Sequence, residues 1–202
     1  MKTKKPHRDA VKSMSKKGMK ESVFSAKQIV AMAVGTALYA ALTIPFNVFQ
    51  TPGAGLIALR PTVAIPMLFG IVFGPFAGFV VGLVGNIVSD FASFGGLFWN
   101  WDIGNGLLGA IPGIAYFVIR RTDWVKAKTV AIAAVLAVVA AVVGIGFAAM
   151  TDYAFQIGLS TLGAALVEFN SAAWTDAVNG AIFTPILLYA YATAIAGRAR
   201  RV

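Results

Sequence analysis

The sequence predicts an all-α integral membrane protein with six transmembrane helices and with both termini in the cytoplasm. Hydrophobic residues make up 58% of the 202 residues and charged residues only 12%, about half the charged share of an average soluble domain. The apolar residues fall into six stretches that approach the roughly 20 residues a helix needs to cross a bilayer. Most of the positive charges flank these stretches on one predicted side.

The six spans are bounded by charged residues and by turn-forming residues. They are predicted at 29–48, 56–73, 76–91, 103–119, 129–150 and 173–196. Gly74-Pro75 separates the second span from the third and is typical of a tight turn between two helices. Because the second span contains Pro61 and Pro66, we expect either a kink or a loop that becomes helical after Pro61.

The lysine and arginine residues predict the orientation of the spans. Sixteen of the seventeen lie in three segments: nine in residues 2–27, four in residues 120–128 and three in residues 198–201. Six spans place these segments on one face, which the positive-inside rule assigns to the cytoplasm. The sequence therefore predicts a basic cytoplasmic tail, a six-helix membrane domain and a basic cytoplasmic end, at 1–28, 29–197 and 198–202.

Residues that support catalysis or bind metals are scarce. The sequence has no cysteine, and its one histidine, His7, lies in the basic tail. This argues against thiolate metal sites, thiol nucleophiles and Ser-His or Cys-His catalysis, so we predict a protein that is not an enzyme and has no cofactor and no metal. We interpret the net charge of +9 as the result of basic segments that orient the protein in the lipid bilayer. We therefore predict no nucleic-acid partner.

Polar and aromatic residues cluster at the predicted outer ends of the spans. The pattern Asp-x-x-Asn-Gly occurs twice, at 102–106 and 176–180, each time shortly after a tryptophan. Weak repeats of this kind are typical of sites that lie between two halves of a membrane protein. Aromatic walls with a few polar groups suit a planar small molecule. We predict a substrate-binding site formed by Arg60, Asn86, Asp90, Trp99, Trp101, Asp102, Asn105, Asn170, Trp174, Asp176 and Asn179.

Simpler structural roles remain open for several of these residues. Asp102 and Asp176 are also typical of helix N-caps, and the tryptophans are typical of anchors at the membrane interface. Arg60 lies either in the cavity or among the lipid headgroups. We expect the outer segments 47–60 and 151–172 to cover the site, the second with Glu168, Asn170 and Ser171.

Two rows of small residues predict close helix contacts, because helices in lipid associate where side chains are small. The glycines at every fourth position from Gly70 to Gly82 indicate packing inside the bundle. Ala33, Ala37 and Ala41 form a similar row in the first span. This second row indicates either internal packing or a face that receives a partner helix.

The stretch from residue 64 to residue 101 carries a family resemblance. It contains Gly74-Pro75, Gly78, Gly82, Gly85-Asn86, Ser89-Asp90 and Trp99-Asn-Trp101. This pattern resembles the substrate-binding (S) components of energy-coupling factor (ECF) vitamin transporters, in the branch that includes the riboflavin-type S components. The resemblance implies a multi-pass protein of a prokaryotic plasma membrane that captures a vitamin or cofactor precursor from outside.

The resemblance also implies partners. S components work with a transmembrane coupling protein and two ATP-binding subunits, and Ala33, Ala37 and Ala41 match the row that packs on the coupling protein. The chain has no Gly-x-x-x-x-Gly-Lys-Ser/Thr loop, so the partners would hydrolyse the ATP. The resemblance implies a riboflavin-like ligand or another ring compound, and the acidic outer residues favour a neutral or cationic ring.

Two other functions remain as alternatives. A self-sufficient secondary transporter or channel needs no partner, and Asp90 could relay protons, but mid-membrane charge, which a proton path requires, is missing from spans one, two and five. An intramembrane enzyme would have to pair Asp90 with Asp176 as a dyad, and neither lies in a Gly-x-Gly-Asp context.

Overall fold

The computed structural model describes residues 25–50, 57–119, 124–157 and 161–199, so most of the predicted basic tail and the last basic residues lie outside the described residues. The described chain is helical. Its α-helices are α1 (Ala26–Phe46), α2 (Ala64–Phe73), α3 (Pro75–Phe94), α4 (Trp99–Ala110), α5 (Ala115–Val118), α6 (Ala127–Phe155) and α7 (Leu162–Ala199). Short 3-10 turns at Pro61–Val63 and Pro112–Ile114 precede α2 and α5.

Four of these helices, α1, α3, α6 and α7, are long and apolar enough to cross a membrane, and Pro61–Phe73 is a shorter apolar helical segment. The structure therefore agrees with an all-helical integral membrane protein. The second predicted span becomes helical at Pro61, where proline suits the first turn because its missing N–H has no helical partner in any case.

The fourth predicted span differs from the expected continuous helix. It begins earlier, at Trp99, and is interrupted after Ala110 by the 3-10 turn that Pro112 opens. Proline removes a backbone donor and its ring clashes with the preceding turn, which disfavours a continuous helix at this position. The sequence prediction of one helix over 103–119 was wrong at this point.

The outer segment 151–172, which was expected to cover the site, is largely helical. Helix α6 runs on to Phe155 and α7 begins at Leu162. Glu168, Asn170 and Ser171 consequently lie within α7 and not on a loop. The start of α7 carries Leu162, Ala164, Ala165 and Leu166, residues with high helix propensity, which explains the longer helix. The second expected cover, 47–60, lies partly outside the described residues.

Helix α6 shows how the bundle places small residues inside and large apolar residues outside. Its buried side is mostly small, with Ala133, Ala137, Ala140, Ala141, Gly144 and Ala148, and includes one large aliphatic residue, Ile145. Its exposed side carries Val135, Val138, Val139, Val142 and Val143. A surface of exposed valines is stable when lipid covers it, while the small residues allow close contact between helix backbones.

The glycine row lies inside the bundle, as predicted. A Cβ atom added at Gly78 would collide with the carbonyl oxygen of Gly109, and one added at Gly82 would collide with that of Asn105. These glycines bring α3 and α4 into backbone contact, and Gly70 of α2 approaches Gly109 in the same way. The contact sets the position of α4, which carries much of the site described below.

The alanine row of α1 lies on the opposite side of its helix from the bundle contacts. Ala33, Ala37 and Ala41 are exposed, whereas Gly35 and Tyr39 are buried. A Cβ atom at Gly35 would meet the side chains of the neighbouring helices, so the glycine side of α1 makes the internal contact. The alanine row is therefore a free, smooth surface of the described chain.

Replacing Gly78 with alanine is expected to destabilise the bundle, because the added methyl group meets backbone atoms of α4 that cannot rotate away. Overpacking of this kind costs about 1 to 3 kcal/mol. The measurement is the Tm of the purified protein in detergent.

Gly163→Ala is the matched control, since nothing lies within 4 Å of a Cβ atom added at Gly163. We expect it to keep or slightly raise the Tm, because alanine is the better helix former. A Gly78→Ala variant with the wild-type Tm would contradict the backbone contact between α3 and α4.

Candidate functional site

A cavity of about 420 Å³ lies where α3 ends, α4 begins and α6 ends. This volume falls in the range of small-molecule sites. Its walls combine polar and aromatic side chains with a few aliphatic ones: Asn47, Ile57, Arg60, Asn86, Asp90, Phe94, Leu97, Phe98, Trp99, Asn100, Trp101, Asn105, Asp152, Ile157 and Glu168.

The first polar cluster is centred on Asn86 in α3. The Asn86 side chain accepts a hydrogen bond from Nη1 of Arg60 at 3.0 Å and donates to Asp90 at 2.8 Å and to Asp102 at 2.9 Å. All four residues are buried. One amide thus connects a buried positive charge with two buried carboxylates, and such charges are stable inside a protein only when they are compensated and hydrogen-bonded.

Arg60 lies in the cavity and not among headgroups, because only 7% of its surface is exposed and it forms part of the wall. The 3-10 turn that follows it is held by a 2.8 Å hydrogen bond between the hydroxyls of Thr43 and Thr62. Nε of Arg60 is buried and has no hydrogen-bond partner within the described chain. A buried donor of this kind favours an acceptor supplied by a bound molecule.

The second polar cluster joins α4 to the end of α6 through Asp152. Asn100 donates to Oδ1 of Asp152 at 2.8 Å, and Nε1 of Trp101 donates to Oδ2 at 2.6 Å. Asn100 also donates to the backbone oxygen of Ala148 at 2.9 Å. These bonds fix the orientation of the Trp101 ring at the cavity wall.

Asn105 anchors the middle of α4. Its side chain accepts a 2.8 Å hydrogen bond from the hydroxyl of Tyr39 and donates to the backbone oxygen of Trp101 at 2.9 Å. Tyr39 and Asn105 are both fully buried. Helix α1 is thereby coupled to the helix that carries the aromatic wall.

The two repeated aspartates do not serve as N-caps. The N-cap of α4 is Phe98, and Asp102 lies in the first turn behind the cavity wall; Asp176 lies in the interior of α7. Both are buried, and each has one carboxylate oxygen without a partner among the described residues. Both act electrostatically on Arg60 and Tyr39, so they contribute negative charge near the buried arginine.

The aromatic wall consists of four rings: Phe94 at the end of α3, Phe98 in the connection, and Trp99 and Trp101 in the first turn of α4. Phe94 and Phe98 meet edge to face, with ring centroids 6.3 Å apart. Trp99 meets Phe155 of α6 in the same way, also at 6.3 Å. With 42% of its surface exposed, Trp99 has a free ring surface at the cavity, which suits stacking on a planar ligand.

Three of the predicted site residues lie away from the cavity. Asn170 and Trp174 line a separate apolar groove between α6 and α7, and Trp174 is 70% exposed. Asn179 is partly buried further along α7. Trp174 lies two residues before the buried Asp176, and side chains two apart on a helix do not share a face, so Trp174 points away from the bundle. The position of Trp174 fits the alternative role of an anchor at the membrane interface.

The sequence prediction did not include Asn47, Asn100 and Asp152 among the site residues. Asn47 ends α1 and donates to Ser89 at 2.9 Å and to Ser93 at 3.0 Å. Asp152 is an acidic residue at the outer end of an apolar stretch, and Asn100 lies between two tryptophans. These sequence positions could have identified both residues as candidates for the site.

An all-helical membrane protein with a cavity of this size, an aromatic wall and buried polar groups belongs to the class of membrane-embedded proteins that bind small molecules. A family model described as "ECF-type riboflavin transporter, S component" matches residues 23–193. The chain belongs to this family, as the sequence resemblance predicted. The family is one of multi-pass membrane transporter subunits and not of enzymes, and it implies in general a vitamin substrate and partners of the ECF module.

Several bacterial proteins named UPF0397 are similar to the chain. A UPF0397 protein of Vibrio atlanticus is 34% identical over 132 residues, which cover 64% of this chain and 71% of the relative. One from Aliivibrio salmonicida is 35% identical, covering 63% and 70%. One from Lactobacillus helveticus is 37% identical, covering 48% and 51%. No solved structure gives a significant match to the chain.

Replacing Asn86 with alanine is expected to lower the Tm of the purified protein, because Arg60 and two carboxylates each lose a hydrogen bond in a buried place. A buried polar group left without its partner costs about 1 to 3 kcal/mol, and more when it is charged.

Asn170→Ala is the matched control because Asn170 is exposed and lies outside this cluster, so its Tm should stay at the wild-type value. Equal stability of the two variants would show that Asn86 does not hold the charged cluster together.

Proposed function

We propose that this protein is the substrate-capture subunit of an ECF-type importer. It binds a vitamin or cofactor precursor from outside and delivers it by associating with a transmembrane coupling protein and two ATP-binding subunits. The observation that carries the proposal is the cavity of about 420 Å³ with its aromatic wall, in a chain that belongs to the S component family. Family membership favours this function over a self-sufficient transporter.

The proposed topology has six crossings with both termini in the cytoplasm. The crossings are α1, the Pro61–Phe73 segment, α3, the interrupted α4–α5 segment, α6 and α7. Lys128 lies at the start of α6 and Asp152 in its last turn, about 35 Å apart at 1.5 Å per residue. Because the positive-inside rule assigns the basic end to the cytoplasm, the cavity opens at the outer side.

The proposed ligand contacts are the predicted residues that form the cavity wall: Arg60, Asn86, Asp90, Trp99, Trp101 and Asn105. The tryptophans stack on the ring, and the amides and charged groups fix its orientation. Asp102 and Asp176 act through Arg60 from behind the wall. Three carboxylates and one arginine line the cavity, and this balance favours a neutral or cationic ring over an anion.

The proposed partner surface is the alanine row of α1. Ala33, Ala37 and Ala41 are exposed on one side of the helix, where small side chains allow the backbone of a second helix to come close. We propose that a helix of the transmembrane coupling protein packs on this surface.

Trp99→Ala is expected to weaken binding of a vitamin by about 1 to 3 kcal/mol, the contribution of one stacking contact. Wild type and variant are compared by isothermal titration in detergent, with the vitamin that most raises the Tm of the wild type in a panel of riboflavin, thiamine, pantothenate and biotin.

The comparison variant is Trp174→Ala, whose side chain lies outside the cavity and whose loss should leave the affinity unchanged. The reverse pattern, with Trp174 needed and Trp99 dispensable, would move the site to the groove between α6 and α7.

Ala37→Leu is expected to leave vitamin binding intact and to abolish assembly with the coupling protein, because a bulky side chain blocks close helix approach. Assembly is measured by co-purification of the coupling protein and the ATP-binding subunits after expression together.

Ala131→Leu provides the control, since Ala131 is also an exposed alanine, on α6. It should assemble normally. Normal assembly of Ala37→Leu would remove the alanine row from the partner surface.

A further inference from the structure

Helix α1 carries two buried hydroxyl groups that lie outside the cavity wall but are bonded to the segments that form it. Tyr39 and Thr43 are both 0% exposed, and neither lines the cavity. They are four residues apart and therefore lie on one face of α1. A hydroxyl buried in an apolar bundle is costly unless it is hydrogen-bonded, so the partners of these two groups indicate what the residues do.

Thr43 holds the segment that carries Arg60. Its hydroxyl shares a 2.8 Å hydrogen bond with the hydroxyl of Thr62, which is also buried. Thr62 lies in the 3-10 turn Pro61–Val63, directly after Arg60. Because Arg60 is part of the cavity wall, a shift of this turn relative to α1 would move the guanidinium within the wall.

Tyr39 holds the first turns of α4, which carry the tryptophans. Its hydroxyl donates to Asn105 at 2.8 Å, and Asn105 donates in turn to the backbone oxygen of Trp101 at 2.9 Å. On the way to α4 the ring passes α3 at Gly85, where an added Cβ atom would lie 2.6 Å from Cδ1 of Tyr39. Glycine leaves just enough space for the ring at this point, so close packing holds the ring in place.

Helix α1 is itself fixed near both ends. At its start, Nε2 of Gln28 donates to the backbone oxygen of Phe73, the last residue of α2, at 3.2 Å. At its C-cap, Nδ2 of Asn47 donates to the hydroxyl of Ser89 in α3 at 2.9 Å. The helix is thus held in register with α2 and α3, and the two buried hydroxyls start from fixed points.

The two bonds start one turn apart on one helix and lead to different parts of the cavity wall. Four residues at 1.5 Å each separate Tyr39 from Thr43 by about 6 Å along α1. One bond leads to the turn after Arg60, and the other leads through Asn105 to Trp101. Helix α1 therefore sets the position of the arginine part of the wall relative to the tryptophan part.

We propose that Tyr39 and Thr43 are positioning residues for ligand binding, which fix the separation between the arginine part and the tryptophan part of the cavity wall. They act through Asn105 and Thr62 and do not touch the ligand. A ligand that contacts both parts binds tightly only when their separation is set in advance, because ordering the wall on binding costs affinity. The inference rests on the proposed function, since it requires a ligand in this cavity.

The test compares affinity with stability when single hydroxyls are removed from the full-length protein in detergent. The probe is whichever of riboflavin, thiamine, pantothenate and biotin most raises the Tm of the wild type, and its affinity is measured by isothermal titration. Tyr39→Phe and Thr43→Val each remove one hydroxyl and nearly keep the shape. We expect each to weaken binding by about tenfold, the scale of one hydrogen bond. Thr43→Ser keeps a hydroxyl and should retain most of the affinity that Thr43→Val loses.

Thr184→Val is the matched control. Thr184 is also 0% exposed, and its hydroxyl donates to the sulfur of Met67 at 3.3 Å. Neither residue lines the cavity, so any effect of this variant should appear in the Tm and not in the affinity. Unfolded protein lowers the number of sites in a titration and not their affinity, so a merely structural role of Tyr39 or Thr43 would leave the affinity unchanged.

Wild-type affinity in both Tyr39→Phe and Thr43→Val would overturn the inference and leave the proposed function standing. An equal loss of affinity in Thr184→Val would overturn it as well, because the effect would then be a general loosening of the bundle. If Tyr39→Phe does not fold, the comparison of Thr43→Val with Thr43→Ser decides. A wild-type protein that binds none of the four vitamins and carries no small molecule when purified would overturn both the inference and the proposed function.

Discussion

Arg60 is a positive charge buried in a bundle whose interior is built mainly from alanine, glycine and aliphatic residues. A charge in such surroundings is costly unless neighbouring groups compensate it, and Asn86 provides the connection to Asp90 and Asp102. Through these bonds the segment before α2 is tied to α3 and α4. The shape of the cavity therefore depends on one hydrogen-bonded cluster, with the remaining oxygen of Asp102 and the unpartnered Nε of Arg60 left within it.

The small residues and the polar residues have complementary roles along the bundle. Gly78 and Gly82 bring α3 against the backbone of α4, and this contact leaves no room for a cavity there. At the other end of the same two helices, the large rings of Phe94, Phe98 and Trp99 line the cavity. Close packing at one level and aromatic walls at the next create a pocket that opens at one end of the helices.

The sequence allowed a good prediction of the features that depend on local spacing. Asn86 and Asp90 are four residues apart on a helix, so their shared face was predictable, and the glycine row indicated its packing directly. Features that depend on where a helix starts were predicted less well. The longer α7 places Asn170 in a helix where a loop was expected, Trp174 falls on the exposed side of that helix, and the break at Pro112 shortens α4. Contacts between distant segments, such as Asn100 with Asp152, have no spacing in the sequence to indicate them.

We propose that the cavity captures a small ring compound from outside the cell. The most direct measurement is mass spectrometry of the small molecules released by denaturing the protein after purification from cells grown in rich medium. We expect a vitamin or vitamin precursor with a heteroaromatic ring, present at close to one molecule per protein. A protein that is reproducibly empty, and whose Tm no vitamin raises, would contradict it.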